Sequence, residues 1–593
     1  MKKSFINICL SAFLGAFALS LTSCGDELKA YPWIKEEDGG PVTTVDMGER
    51  DMDVLERQLR TCIPFMLNYS HEPDGSWAPH NYQYDRANNV DNYAGYWTTT
   101  KANFAYGPAL PTLYTDNNGY IGGPLESRAF QYGKSAINAW NKALTYDPAT
   151  GDSVLIERPE WRAIALICEG FVAQQAVDAT GACPFNDWRN QKTTLPLTWE
   201  AGPEVYKQVL ADLDEAIASL KAKQPGQGDL QRVEGTDAQK TCTGWNWRNW
   251  VKFANSLKLR MAMNMVDYND PDPVYGPDSK PFVARNIAEE AVNDEIGVLL
   301  PTDERDIAYY MVNNRCCWYF MAWEWNDIRL NASLENILKH FKSPLLTELF
   351  SAGGYPVKSS SGATAPAGIY GVRAGIMMED TGSQQSGYGS FGLPKNQYMT
   401  QPFFKRTEAT FLRAEGALRG WNMGGSAQEL YEQGIRLSFE ENGIADQADA
   451  YLAQDNLPAV PYRDYYNRKY DTDGRVTCGV KWDDADSQEL KLEKLITQKW
   501  IAIFPQGMEA WSTYRRTGYP RLFPVVENNM ANVDTELQIR RTSVTQTVNN
   551  GAEIAQLTEL LGGSQDCGTH VFWDVRSANW QKDANGRIIP VNF

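Results

Sequence analysis

Phe411-Leu412-Arg413-Ala414-Glu415-Gly416-Ala417-Leu418-Arg419-Gly420, then Gly424-Gly425, then Ala427 through Leu430-Tyr431-Glu432-Gln433-Gly434-Ile435, reads as two helices joined by a glycine turn. The paired glycines punctuate the chain between two stretches of helical periodicity. Ala414, Gly416, Ala417 and Gly434 recur at helical spacing and leave room for one helix to lie closely on the other. This is the logic of tetratricopeptide-like pairs, although the repeat is degenerate and no strict period emerges. A generic helical bundle fits the same pattern.

Moving outward, the helical signal dominates. Val54, Leu55, Leu59, Ile63 and Leu67 share a face; so do Ile164, Ala165, Cys168, Phe171, Val172 and Gln175 within Trp161–Ala179. Val205, Val209, Leu213, Ile217 and Leu220 form a third stripe, with Asp212, Asp214 and Glu215 facing away. Trp247–Val266, Ala332–Phe350, Phe404–Gly420, Ala427–Glu441 and Leu490–Phe504 complete the set. Strand-like alternation is scarce, which predicts a mainly α fold of packed helix pairs.

Long irregular stretches separate the helices: Tyr69–Leu125, Pro225–Gly244, Asp267–Pro281, Thr302–Arg329, Gly353–Gln401 and Ala445–Ser487. Loops of that length in a compact protein are functional or disordered, and two of these carry enough aromatics to argue for order. The first holds Trp77, Tyr82, Tyr84, Tyr93, Tyr96, Trp97, Phe104, Tyr106 and Tyr114; the second holds Tyr309, Tyr310, Trp318, Tyr319, Phe320, Trp323 and Trp325.

The amino terminus carries a separate message. Lys2-Lys3, the uncharged apolar run Phe5–Leu21, and Leu21-Thr22-Ser23-Cys24 make a positive n-region, an h-region and a small-residue cleavage site. A cysteine at the cut predicts a lipoprotein: residues 1–23 are the signal, lipid sits on Cys24, and residues 24–45 form a polar tether containing Gly39-Gly40-Pro41. More than one acyl chain anchors stably where a single chain binds marginally. Residues 46–593 are then expected to form a single α-rich domain.

Composition narrows the partners. Loss of the signal removes Lys2 and Lys3 and no acid, taking the formal charge from −18 to about −20. Nucleic-acid binding needs clustered Lys and Arg, and this balance excludes it. Nineteen Trp and 29 Tyr instead supply flat amphipathic rings suited to wet interfaces. Of the ten cysteines, Cys62, Cys168, Cys183, Cys242, Cys316, Cys317, Cys478 and Cys567 remain as thiols. Disulfides are permitted in an oxidising compartment, but spacing does not assign them, and Cys168 reads as a buried helical thiol. No CxxC pair supports structural zinc. The His-based HExxH, GxSxG and Walker-type motifs are absent. Asp471-Thr472-Asp473-Gly474 begins like a calcium loop, but Trp482 stands where a bidentate Glu belongs, so it reads as a turn.

Several segments together resemble the SusD/RagB family of nutrient-binding outer-membrane lipoproteins. They are Phe411–Trp421 with its glycine turn and following helix, Ile496-Thr497-Gln498-Lys499-Trp500-Ile501, and Gly507-Met508-Glu509-Ala510-Trp511 running to Tyr514-Arg515-Arg516-Thr517-Gly518-Tyr519-Pro520. Near the end Val571-Phe572-Trp573-Asp574 looks like the family's closing motif, and Ala163–Ile167 through Asp178, Gly181 and Pro184-Phe185 is similar to its amino-terminal helix and exit. The resemblance implies tetratricopeptide-like helix pairs with loops on one face forming the ligand site. It also implies a lipid-anchored lid, facing the cell exterior, over a TonB-dependent barrel of the SusC type. Arg515-Arg516 reads as a pair tying carbonyls and acids such as Glu509 or Glu415 in the core, and Trp511 and Trp573 read as core residues.

The ligand site is expected in the aromatic loops, because sugar C–H faces lie on rings while hydroxyls need nearby Asn, Asp, Gln or Arg. The candidates are Trp77, Tyr82, Tyr84, Trp97, Trp318, Trp323, Trp325 and Asp327, with Asn88, Asn89, Asp91 and Asn92 near the first group. The expected ligand is an oligosaccharide, bound without a cofactor and without catalysis. A peptide ligand is an alternative within the same family. A helical glycoside hydrolase would need two carboxylates, for which Glu324 with Asp327 and Asp483 with Asp484 are available, and an adhesion protein is a third class.

Overall fold

A computed structural model describes residues 79–99, 158–234, 246–309, 316–353, 364–376, 388–391, 400–542 and 550–593, less positions 88, 191, 193, 326, 327, 466, 529, 531 and 565. All of them fall in one compact unit, residues 49–146 and 152–593; the other unit, residues 1–48 and 147–151, contains no described residue. The expected helix at Val54–Leu67, the signal and the tether lie outside the described residues.

Eleven described helices have eight or more residues: α1 Pro159–Thr180, α2 Gly202–Lys223, α3 Gln227–Glu234, α4 Trp247–Asn264, α5 Ala284–Asn293, α6 Ala332–His340, α7 Arg406–Leu418, α8 Ala427–Glu441, α9 Gln488–Ala502, α10 Gly507–Thr517 and α11 Gly551–Leu560. Described strands are two to four residues long and pair only in twos. The fold is mainly α, built on tetratricopeptide-type helix pairs. Among the described residues no helix is long and apolar enough to cross a membrane.

Sequence explains most of these elements. On α2 the buried face is Val205, Val209, Leu213, Ile217 and Leu220, the predicted stripe, and it packs on α1. α7 and α8 form the predicted pair. Ser426 starts α8 with a capping box: its hydroxyl accepts from the Glu429 N–H at 3.2 Å, while the Glu429 carboxylate accepts from the Ser426 N–H at 3.0 Å. Gly434 lets α8 approach, since a Cβ there would stand 2.8 Å from the Phe411 ring. One expectation is corrected: Ala332–Phe350 is two helices, α6 and Leu345–Leu349. Lys342 has φ +47° and Pro344 follows Ser343; proline lacks an amide donor and disfavours helix in the residue before it, so the turn cannot continue.

The family-like motifs converge in the core. Asp178, at the end of α1, accepts from Tyr206 Oη at 2.6 Å, Asn264 Nδ2 at 3.0 Å and Trp573 Nε1 at 2.8 Å. Next to Trp573, Asp574 accepts two bonds from Arg540 at 2.7 and 2.8 Å. Arg515 lies 3.5 Å from the Trp511 ring centroid and donates to the Arg540 carbonyl at 2.8 Å. Arg516 forks onto Glu415 with both bonds at 2.7 Å, and Lys499 reaches Glu509 at 2.7 Å. The arginine pair is therefore structural, and Trp511 and Trp573 are buried. Cys168, Cys183, Cys316, Cys317, Cys478 and Cys567 are buried free thiols; Cys62 and Cys242 lie outside the described residues. At the calcium-like turn, Asp471 is taken up by Arg463, Arg468 and the Asp464 N–H.

Candidate functional site

Three of the long loops meet. Trp97–Thr99 pairs antiparallel with Ile328–Leu330, matching Trp97 to Leu330 and Thr99 to Ile328. Leu330 N–H then donates to Gly389 O at 3.0 Å, and Ala332 N–H donates to Val372 O at 2.9 Å. Asn331 fastens the junction: its Nδ2 donates to Thr98 Oγ1 at 2.9 Å. Segments more than two hundred residues apart thus share one frame beside α6.

Each aromatic loop contains a five-residue π-turn, Gln83–Ala87 and Phe320–Glu324. In the second, Trp325 N–H reaches back to Phe320 O at 2.7 Å. A π-turn inserts one residue more than an α-turn and re-aims the side chains beyond it; single π-turns are frequent at functional sites. Arg329, itself buried, holds this turn by donating to Ala322 O at 3.0 Å and Ile328 O at 2.7 Å. The outcome is a ridge: Trp323 is 45% exposed, Phe320 and Trp325 are half-buried with rings 5.7 Å apart, and exposed Glu324 accepts from Tyr319 Oη at 2.8 Å.

Beneath the ridge lies a support. Trp318 and Tyr82 are only 1% and 6% exposed and meet edge to face at 5.1 Å. Tyr82 Oη donates to Asp91 Oδ2 at 3.0 Å. Asp91 rests on the first residue of α10, where a Cβ on Gly507 would fall 2.0 Å from Oδ1, so only glycine seats it. Burial pushes the Asp91 carboxyl up to about 7, against the opposing pull of the Tyr82 hydroxyl and the Arg86 charge. Burial, with Asp91 beside it, raises the Tyr82 phenol well above its usual range. Tyr82, Arg86, Gln174, Trp318, Gln401 and Met508 surround a cavity of about 60 Å³. At roughly 10–15 Å³ per water that space holds a few waters and no sugar ring.

The sequence-derived candidates separate accordingly. Trp323 is exposed on the turn and Trp325 half-buried at its end, against Phe320, while Tyr82 and Trp318 are buried. Trp97 is enclosed, packed against Phe350 at 5.8 Å and Phe504 at 5.6 Å, so its ring serves the core. Asn89, Asp91 and Asn92 are buried too. Cys24, Trp77, Asn88 and Asp327 lie outside the described residues, as does the Tyr84 side chain. Of the proposed hydrolase pairs, Glu324 is exposed on the ridge, and Asp483 turns back to accept from the Ala485 N–H at 2.9 Å. Sequence reading missed Arg329 and both π-turns. Arg329 left no signal; a buried arginine in an Ile-Arg-Leu strand looks like an outward-facing residue.

Comparison with known proteins gives a consistent picture. The family described as "SusD-like: Susd and RagB outer membrane lipoprotein" matches residues 48–574. Among solved structures, a chitin-binding SusD homolog from Flavobacterium johnsoniae is 29% identical, with a TM-score of 0.71, over 88% of this chain and 99% of that one. A SusD homolog from Bacteroides thetaiotaomicron is 28% identical with a TM-score of 0.68, covering 88% and 98%. Another from Bacteroides uniformis is 26% identical with a TM-score of 0.69, covering 88% and 99%. No curated protein matches.

Proposed function

The chain belongs to the SusD-like family of outer-membrane lipoproteins, and from that premise we propose that it is a non-catalytic glycan-binding protein of nutrient uptake whose ligand is an oligosaccharide. The observation that carries this reading is the exposed Trp323 on a π-turn braced by Arg329, Trp318 and Tyr82. A ring held by a rigid base offers a flat apolar face without the entropy cost of ordering it on binding. Phe320 and Trp325 lie half-buried on the same turn, and exposed Glu324 can accept hydrogen bonds from sugar hydroxyls. The chitin-binding relative supports a glycan as the class of ligand.

Lipid on Cys24 would hold the protein on the outer membrane, facing the cell exterior, and the captured sugar would pass to a TonB-dependent SusC-like barrel. Residues 46–593 act as one ligand-binding domain in this reading, and no cofactor is required. A glycan array run beside a peptide array tests the ligand class: saturable oligosaccharide binding is expected, and binding of peptides alone would overturn it. Detergent extraction tests the partner, since a β-barrel should co-purify with the lipidated chain.

A further inference from the structure

A second cavity lies away from the aromatic ridge. It measures about 210 Å³ and sits between the end of α10 and the carboxy-terminal hairpin Gln581–Lys582/Ile588–Ile589. Arg475, Arg521 and Arg587 line it together with Asp583, while Leu522, Ile588 and Ile589 supply an apolar wall.

Each arginine on that wall is paired with an acid that lies outside the lining. Arg475 forks onto Glu536 at 2.7 and 2.5 Å, Arg521 forks onto Glu493 at 2.7 and 2.9 Å, and Arg587 Nη2 meets Asp473 at 3.2 Å. None of those three acids lines the cavity. Asp583 is committed to its own turn, accepting from the N–H groups of Asn585 at 2.8 Å and Arg587 at 2.9 Å. Arg521 uses Nε and Nη2, and Arg587 uses Nη2 alone. Arg521 Nη1 and Arg587 Nε and Nη1 therefore keep donors to spend. The carbonyl end of α10 does not cancel this charge at close range, because Arg515 O accepts from Arg540 and Thr517 O accepts from Asn592 at 3.0 Å.

We propose that this cavity is a second binding site, one that takes a small organic carboxylate. Guanidinium forks match the geometry of a carboxylate, and the apolar wall favours an anion that carries carbon over a bare inorganic one. The volume lies below the roughly 300–1,000 Å³ of drug-sized sites, which limits the occupant to a single ring or a short chain. The site is independent of the oligosaccharide reading; either can fail alone.

D-Glucuronate is the probe, titrated calorimetrically into the purified full-length protein, with D-glucose and sodium phosphate as comparisons. Saturable glucuronate binding is expected, weakening as salt screens the arginines. Arg587→Gln should weaken it about tenfold or more with little effect on folding, since the partner Asp473 is 82% exposed. Ile589→Asp, at a position 44% exposed, should weaken binding by setting a like charge at the cavity wall. Trp323→Ala should leave glucuronate affinity unchanged, which separates this site from the ridge. Three results would overturn the proposal: no saturation, wild-type affinity in both cavity variants, or phosphate binding as tightly as glucuronate.

Discussion

Asp91 joins the aromatic loop to the core, because its carboxylate takes the Tyr82 hydroxyl on one side and sits on the start of α10 on the other. Its carboxyl titrates at about 7 in the folded chain against 3.8 ordinarily. The folded state therefore binds this proton more tightly than the unfolded chain does, and stability declines as pH rises from about 4 to about 7. Asp91→Asn keeps an acceptor for Tyr82 and removes the titration. Its stability should match wild type near pH 4 and exceed it at pH 8, by at most ~4 kcal/mol at about 1.4 kcal/mol per unit. Denaturation midpoints at the two pH values check this; a variant less stable than wild type at pH 8 would contradict it. Glu415 behaves oppositely. Burial alone would raise its carboxyl, but Arg516 and Arg419 outweigh burial and hold it at about 2. Its contribution is present above about pH 4.5 and is lost as pH falls towards 2. Glu415→Gln strands two buried guanidiniums and should cost about 3–5 kcal/mol at pH 7, read as a drop in the urea midpoint.

At the scale of elements, the α7–α8 pair shows how small residues set helix approach. Alanine at Gly434 gains about 1 kcal/mol of helix propensity, yet its Cβ would stand 2.8 Å from the buried Phe411 ring. Overpacking of that kind costs about 1–3 kcal/mol. Gly434→Ala should therefore be neutral to destabilising by up to ~2 kcal/mol, where an exposed helical glycine would gain, and thermal unfolding distinguishes the signs. This pair was legible in sequence because glycine punctuation and apolar spacing are local signals. α5, α10 and α11 were not recognised, α3 lies within Pro225–Gly244, a stretch expected to be irregular, and the Ala332–Phe350 stretch ran past its break at Ser343-Pro344 because apolar residues continue on both sides. The π-turns were invisible for a related reason. Trp318 and Trp323 are equivalent aromatics in sequence, yet the ring just before the turn is buried and the one within it is exposed.

Across the whole molecule, the segments that resembled the family prove to be parts of one contact network. Asp178, Tyr206, Asn264, Trp573, Asp574, Arg540 and Arg515 come from six separate stretches and share hydrogen bonds. Their spacing was readable; their meeting depends on contacts hundreds of residues apart, which no local pattern reports. The proposed ligand face has the same character. Two aromatic loops were recognisable by composition, and a shared ladder and the Tyr82–Trp318 contact place them together. Yet only burial separates Trp97, a core ring, from Trp323, a surface one. If the ridge binds oligosaccharide through Trp323, calorimetric titration of a soluble oligosaccharide, selected by array, into wild type and Trp323→Ala will show it. Saturable binding to wild type is expected, weakened in the variant about tenfold or more, or ~1.4 kcal/mol, with thermal stability unchanged; equal affinity in the two proteins would rule the ridge out.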